Sequence, residues 1–283
     1  MDKASKGRTK TIAASSAGAL TEAEGARSLL DLVEGEIIPR LMLAHRDRRD
    51  TVPQPDIRHA HSVELARALL DRSPDAARAI VDDHLERGVR LEAIFLDLFA
   101  PTARYLGLLW ETDQCNFSQV TLCLWRLQRM LHDLSPSFHA GSGSASLART
   151  AERRILMTTM PGQQHTFGLS MLSEFFRRDG WVVLSIPSPE PGETRASLSR
   201  HWFDVLALSA SMDGEVDDLA STIQAARKTS QNPRLAVMVG GPLFMRRPEL
   251  AVTVGADGVS VDAMEALALA AQLMQRQQDA RLN

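Results

Sequence analysis

From residue 151 onward, five short apolar runs alternate with helical segments, and this alternation limits the fold more than any other feature of the chain. The runs are RRILMTTM, WVVLSIP, DVLALSA, RLAVMVGG and GADGVSV. Continuously apolar strands are typical of a parallel sheet that is covered by helices on both faces. The pattern therefore predicts an α/β fold, a flavodoxin-like (Rossmann-type) doubly wound domain over residues 151–283.

Helical patterns dominate the chain before this domain. Residues 57–134 contain four helical segments joined by short turns, which predicts an antiparallel bundle. A separate amphipathic helix is expected at 21–46, followed by a charged, proline-containing linker at 47–56. The Gly/Ser-rich stretch at 135–150 is predicted to be the linker between the bundle and the α/β domain, and 1–20 a disordered tail.

Composition excludes several classes of protein. The 283-residue chain is 44% hydrophobic, which is enough for packed cores. Its 32 basic and 35 acidic residues give a net charge of −3, which does not suit a general nucleic-acid binder. The sequence also shows no helix-turn-helix or basic helix, so direct sequence-specific DNA binding is not expected. The two cysteines have neither CxxC spacing nor a disulfide framework, which is typical of a reducing cytoplasm. No apolar run approaches the roughly 20 residues of a membrane span, and we expect a cytoplasmic protein without membrane contact.

Small and polar residues follow three of the predicted strands. They are His165 with Gly168 after the first strand, Ser209 with Ser211 after the third, and Gly240 with Gly241 after the fourth. The carboxyl ends of parallel strands form one edge of the sheet, where doubly wound domains bind ligands. Paired glycines let a ligand approach the backbone closely, and the sequence therefore predicts a binding site on this edge.

The order and spacing of these residues resemble the cobalamin-binding domain, whose pattern is D-x-H-x-x-G, then S-x-L, then G-G. This sequence has Gln163-x-His165-x-x-Gly168, Ser209-Ala210-Ser211 and Gly240-Gly241. The resemblance implies a bound hydroxo-, methyl- or adenosylcobalamin with His165 as the lower cobalt ligand. It also implies that the benzimidazole tail enters a slot beside the serines and glycines.

Two departures from the family pattern affect the expected chemistry. Gln163 replaces the acidic residue, so its carbonyl can accept a hydrogen bond from the imidazole but carries no charge. Ser211 replaces the leucine and makes the tail slot more polar. A heme-binding variant of the domain, with His165 as an axial iron ligand, remains a less favoured alternative.

The helical segments before the domain resemble the caps that cover the upper face of a corrin. By this resemblance Trp110, in a G-x-x-W segment, lies over that face; an ordinary core position is the alternative. Light-sensing cobalamin repressors have an upper histidine in a W-x₉-E-H pattern, but Val120 and Thr121 occupy those positions here. The upper ligand of the cobalt is therefore left open.

The arrangement of an IIPRL-type N-terminal helix, a helical cap and a cobalamin domain resembles the AerR/PpaA antirepressors of purple photosynthetic bacteria. This resemblance implies a light-responsive, non-enzymatic regulator that binds a PpsR/CrtJ-type repressor of photosynthesis genes. A corrinoid methyl-carrier protein of a methyltransferase system, a heme redox sensor and a metal-free flavodoxin-like domain are the alternatives.

Overall fold

The computed structural model describes residues 57–71, 74–140, 152–163 and 166–282. The predicted tail at 1–20, helix at 21–46 and linker at 47–56 lie outside the described residues. Residues 55–283 form one compact unit, in which a helical layer packs against an α/β layer.

The helical layer consists of four helical runs, as predicted for the bundle. These are α1 (His59–Leu70), α2 (Pro74–Glu86), a composite run, and α5 (Phe117–Ala140). The composite run contains α3 (Leu91–Ala93), a π-helix (Ile94–Phe99) and α4 (Ala100–Glu111). The π-helix was not expected from the sequence. It places Phe95 and Phe99 in stacked contact, with ring centroids 5.7 Å apart.

The composite run differs from the expectation that no segment approaches a membrane span. Leu91–Glu111 has 21 residues and a mean hydropathy of 1.2, so it reaches that length and apolarity. Its fully buried residues include Phe95, Phe99 and Leu106, which belong to the core of the helical layer. Packing within the layer therefore accounts for the apolar composition of the run.

The boundary predicted at residue 134 is wrong. Helix α5 continues to Ala140 with Pro136 inside it, so the first six residues of the predicted linker are helical. Phe138 explains the extension because its side chain is 1% exposed and lies between Phe95 and Phe175. Burial of this ring outweighs the hydrogen bond that a proline removes from a helix interior.

The α/β layer confirms the predicted doubly wound domain. Five parallel strands are arranged in the order β2-β1-β3-β4-β5. The strands are β1 (Arg154–Thr159), β2 (Val182–Ile186), β3 (Val205–Ser209), β4 (Ala236–Gly240) and β5 (Gly258–Val259). The helices between and after them are α6 (Phe167–Arg178), α7 (Glu193–Arg200), α8 (Val216–Thr229), α9 (Pro242–Arg246), α10 (Leu250–Thr253) and α11 (Ala263–Leu282).

Each face of the sheet has its own hydrophobic core. Leu156, Leu206 and Val237 face one core with residues of α7 and α8, whereas Ile155 and Val205 face the other with residues of α6 and α11. This division follows from the alternation of side chains along a strand. Both faces are therefore covered, and the edge at the strand ends is left for function.

The helical layer and the α/β layer share one core. Phe167, Met171 and Phe175 of α6 and Ala263 of α11 belong to the same buried cluster as the helical layer. Gln128 of α5 donates to Ser170 of α6 at 3.0 Å. The two layers are thus packed directly on each other along α5 and α6.

Candidate functional site

The predicted motifs meet at the carboxyl edge of the sheet, which we call the rim. In the strand register Thr159 is opposite Ser209, and Ser209 is opposite Gly240. The amide of Met160 donates to the carbonyl of Ser209 at 3.2 Å, and the amide of Ala210 donates to Gly240 at 3.1 Å. The ends of β1, β3 and β4 are therefore neighbours.

A tight turn leads from β1 into the loop that carries the histidine motif. The amide of Gln163 donates to the carbonyl of Met160 at 3.2 Å, and Gly162 has a φ of +80°. Pro161 and Gly162 are the residues that a type II turn prefers at its two central positions. His165 lies outside the described residues, and its role as a metal ligand stays a prediction.

Gln163 is buried and binds a residue that sequence reasoning missed. Its side-chain nitrogen donates to Oε1 of Glu215, and the amides of Ser211 and Met212 donate to Oε2 of Glu215 at 3.0 and 3.2 Å. Gln163 is 6% exposed. Glu215 lies four residues after Ser211, at the end of a 3₁₀-helix (Asp213–Glu215) that follows β3. Its position in the predicted connection after β3 was the available signal.

The glycines of the motif serve different purposes. A Cβ atom on Gly241, which has a φ of +94°, would lie 2.6 Å from Oγ of Ser209; a Cβ on Gly240 would lie 2.6 Å from the carbonyl oxygen of Ser260. The Cβ on Gly241 would also lie 2.7 Å from the carbonyl oxygen of Ala210, so close backbone packing requires a glycine at both positions. Gly168, in the first turn of α6, is different, because a Cβ there would meet no atom of the described residues within 4 Å.

Helix α5 extends beyond the rim. Gln128 contacts Ser170 in the first turn of α6, and α6 begins at the rim because it follows the β1 loop. The 11 residues of α5 before Gln128 therefore reach roughly 16 Å past this contact, at 1.5 Å per residue. Leu122 and Trp125, in this part of α5, are 38% and 56% exposed.

Further large apolar side chains are exposed around the rim. Met212 is 61% exposed and Met245 55% exposed, and both follow strands whose ends form the rim. Trp110, in the last turn of α4, is 44% exposed. Exposed apolar side chains on the helical layer and on the rim are candidates for contact with a ligand or a partner.

Other potential ligands are less suited to this site. His139 contacts Glu174 at 2.8 Å near the far end of α5. Burial raises the pKa of the Cys123 thiol to about 11, so that sulfur is protonated at neutral pH and is a poor metal ligand. Val120, at one position of the absent upper histidine motif, is buried, and Thr121 is exposed.

Comparison with known proteins identifies related families for both layers. Residues 153–270 match a B12 binding domain family, and residues 63–133 match a second family that is also described as a B12 binding domain. The matched ranges coincide with the α/β layer and with most of the helical layer.

Two individual proteins are similar over most of their own length. An uncharacterized 20.5 kDa protein in the bchF-crtJ intergenic region of Rhodobacter capsulatus is 26% identical over 183 residues, which are 65% of this chain and 93% of the relative. The monomethylamine corrinoid protein of Methanosarcina barkeri has a similar fold, with a TM-score of 0.58 and 16% identity. The match covers 74% of this chain and 96% of that protein.

Proposed function

We propose that this chain, whose two layers each match a B12 binding domain family, is a cobalamin-binding, light-responsive antirepressor of the AerR/PpaA type. Its proposed partner is a PpsR/CrtJ-type repressor of photosynthesis genes. The relative from Rhodobacter capsulatus supports this choice, because its name places it in the interval between bchF and crtJ. The proposed role requires binding and conformational change, without catalysis.

The observation that carries the cobalamin assignment is that the ends of β1, β3 and β4 meet at one rim in a chain whose two layers both match B12 binding domain families. Exposed apolar side chains on both layers add to it. Trp125 and Trp110 on the helical layer and Met212 and Met245 on the α/β layer are each at least 44% exposed. A protein seldom leaves this much apolar surface in water unless a ligand or partner covers it. A corrin held between α5 and the rim would cover it.

The residues of the rim have distinct proposed roles. His165 would bind the metal from below, and Gln163 would orient its imidazole through a hydrogen bond. Ser209, Ser211 and the glycine pair would line the slot for the benzimidazole tail, and Trp110 would cover the upper face. When bound, cobalamin supplies a cobalt ion with a light-sensitive upper-face bond.

Regulation would act through the contact between the two layers. Because α5 both overhangs the rim and belongs to the core of the helical layer, ligand exchange at the rim would change the packing of α5. A difference of a few kcal/mol between two packings is enough to shift their populations. The surface altered in this way would bind the repressor.

The first experiment measures cobalamin binding by absorption spectroscopy. Wild-type protein, His165→Ala and the control His201→Ala are reconstituted with hydroxocobalamin in the dark, and retention is measured after gel filtration. His201 is exposed and follows α7, at the opposite edge of the sheet from the rim. We expect wild type and His201→Ala to retain a corrinoid with the spectrum of a nitrogen-ligated cobalt, and His165→Ala to lose that spectrum.

Other results of this experiment would favour the alternatives. Identical spectra and retention for all three proteins would remove His165 from the proposal. A Soret band in protein isolated from the cell would support a heme sensor. Methyl transfer to the bound cob(I)alamin by a partner methyltransferase would support a corrinoid carrier.

The second experiment measures partner binding. Purified CrtJ-type repressor is mixed with the apo-protein, with protein loaded with adenosylcobalamin in the dark, and with the same protein after illumination. We expect complex formation on analytical gel filtration to differ at least severalfold between dark and illuminated samples. Equal complex formation in all samples would contradict regulation by cobalamin and light.

A further inference from the structure

Three methionines with exposed side chains lie on the rim, each after a different strand. Met212 follows β3 and Met245 lies in α9 after β4, and both are more than half exposed. Met264 follows β5 at the start of α11 and is 44% exposed. Every other methionine in the described part of the chain is buried or half-buried. Among the described residues, the exposed thioethers are therefore confined to the rim.

A hydrogen bond joins the segments that carry the first two of these methionines. The guanidinium of Arg246 donates to the carbonyl of Ser211 at 2.9 Å. Met245 precedes Arg246 in the chain, and Met212 follows Ser211. The segments after β3 and β4 are thus in contact beside both methionines.

The segment that carries Met264 lies on the other side of β4. The carbonyl oxygen of Ser260, directly after β5, lies so close to Gly240 that it would meet a Cβ there at 2.6 Å. Asp262 then accepts the backbone N–H of Met264 at 2.8 Å and begins α11. The three methionines therefore lie on adjacent segments of one edge of the sheet.

The cysteines of the chain are poorly suited to react with peroxides. Cys115 and Cys123 are buried, and burial raises the pKa of both thiols, that of Cys123 to about 11. The thiolate is the form of cysteine that reacts, and little of it is present at neutral pH. A thioether has no proton to lose, so its sulfur needs only access to the oxidant. The exposed methionines of the rim are therefore the favoured sulfur targets within the described part of the chain.

We propose that Met212, Met245 and Met264 form a modification site for hydroperoxides, and that their oxidation lowers the affinity of the rim for cobalamin. The thioether sulfur attacks the terminal oxygen of the hydroperoxide, so that an S–O bond forms and the O–O bond breaks. The proton of that oxygen passes to the departing oxygen, which leaves as water or an alcohol. The sulfur loses two electrons and the peroxide gains them.

The change in polarity is the physical basis of the expected effect. A methionine side chain is flexible and apolar, which suits contact with a large organic ligand, whereas its sulfoxide is polar. Oxidation therefore removes apolar contact area from the rim, and enzymatic reduction of the sulfoxide restores it. This inference rests on the proposed function, since cobalamin is the ligand whose affinity changes.

The test measures affinity for hydroxocobalamin before and after oxidation. Full-length protein without ligand is treated with hydrogen peroxide, the peroxide is removed with catalase, and peptide mass spectrometry locates the added oxygen atoms. We expect sulfoxide at the three rim methionines before any at the fully buried Met157. Affinity should then be about tenfold lower, and methionine sulfoxide reductases of both stereospecificities should restore it.

Substitutions separate the rim methionines from other targets. The triple variant Met212→Leu, Met245→Leu, Met264→Leu keeps apolar side chains of similar size, and peroxide should change its affinity by less than about twofold. Met274→Leu is the control, because Met274 is half-buried in the same helix as Met264, and it should respond to peroxide like wild type. Glutamine at the three rim positions is polar like the sulfoxide and should weaken binding about tenfold without peroxide.

The outcomes distinguish this inference from the proposed function. If untreated wild type does not bind hydroxocobalamin, the proposed function fails, and the role of the methionines fails with it. If untreated protein binds and oxidised wild type binds equally well, only the inference about the methionines is overturned. An equal loss of affinity in the triple leucine variant after peroxide would overturn it too, because another oxidised group would then be responsible.

Discussion

The two ends of the sheet are built on opposite principles. At the amino end, charged and aromatic side chains are paired: Arg153 contacts Asp179 at 2.9 Å and stacks on Trp181 at 4.6 Å. At the rim, glycines and small residues meet, and large apolar side chains such as Met212 are exposed. Ion pairs and stacked rings close the amino end, whereas the rim combines small residues with exposed apolar side chains at the edge where doubly wound domains bind ligands.

The same hydrogen-bond pattern occurs twice at the amino end of the sheet. The carboxylate of Asp204, before β3, accepts the first backbone N–H of β1 at 2.9 Å. The carboxylate of Asp257, before β5, accepts the N–H of Val237 in β4 at 2.7 Å. Both aspartates thus tie adjacent strands together. The comparison predicts that substitutions at the amino end reduce stability, and that those at the rim reduce binding.

The largest effect is expected for Phe138→Ala. Phe138 packs against Phe175 near the end of α6 that lies toward the amino end, and Arg178 lies 4.4 Å above its ring. Its truncation should lower the free energy of unfolding by about 4 kcal/mol, as for other buried phenylalanines. Urea denaturation measures this change. Phe117→Ala is the control, because Phe117 is 52% exposed at the other end of the same helix, and it should change stability by less than about 0.5 kcal/mol.

The second prediction concerns Asp204→Ala. Asp204 is 8% exposed and also accepts the indole N–H of Trp202 at 3.1 Å. Its removal takes the acceptor from two part-buried donors, the amide of Arg154 and the indole N–H of Trp202, and should cost about 2 kcal/mol of stability. The affinity of the folded protein for cobalamin should stay unchanged. Thermal unfolding and a cobalamin titration measure the two quantities. A large loss of cobalamin affinity at constant stability would contradict the assignment of stability to the amino end of the sheet and of binding to the rim.

The third prediction compares two glycines of the rim, one that stability requires and one that it does not. Gly241→Ala places a Cβ 2.6 Å from Oγ of Ser209 at a φ of +94° and should destabilise the protein by about 2 kcal/mol. Gly168→Ala meets no atom within 4 Å among the residues that the structure describes, and it should leave stability the same or slightly higher. If Gly168→Ala nevertheless weakens cobalamin binding in the same titration, the ligand lies beside Gly168.

The smallest effect on stability is expected for Trp125→Ala. Trp125 is 56% exposed on the overhanging part of α5, so its truncation should change the free energy of unfolding by less than about 0.5 kcal/mol. It should weaken cobalamin binding about fivefold because apolar area that covers the ligand is lost. Trp202→Ala, at the amino end, should instead cost about 1 kcal/mol of stability through the lost bond to Asp204 and leave binding unchanged. A stability loss for Trp125→Ala together with a binding loss for Trp202→Ala would contradict the proposed difference between the rim and the amino end.

The sequence was sufficient for features that local patterning determines. Continuously apolar strands predicted the parallel sheet, and the topology of such a sheet brought Ser209 and Gly240 together at one edge. The sequence was insufficient for features that depend on contacts between residues far apart in the chain. Phe138 extends α5 past a proline because of rings on two other elements, and Glu215 reaches Gln163 only through the path of the β3 loop.

The shared core has a practical consequence for dividing the protein. Family boundaries fall between residues 133 and 153, yet Phe167, Met171 and Phe175 of α6 are buried by the helices that precede that boundary. A fragment that starts at β1 would carry these three side chains into water. We expect it to aggregate or to bind hydrophobic dyes, so that a lack of cobalamin binding by such a fragment would report on its folding.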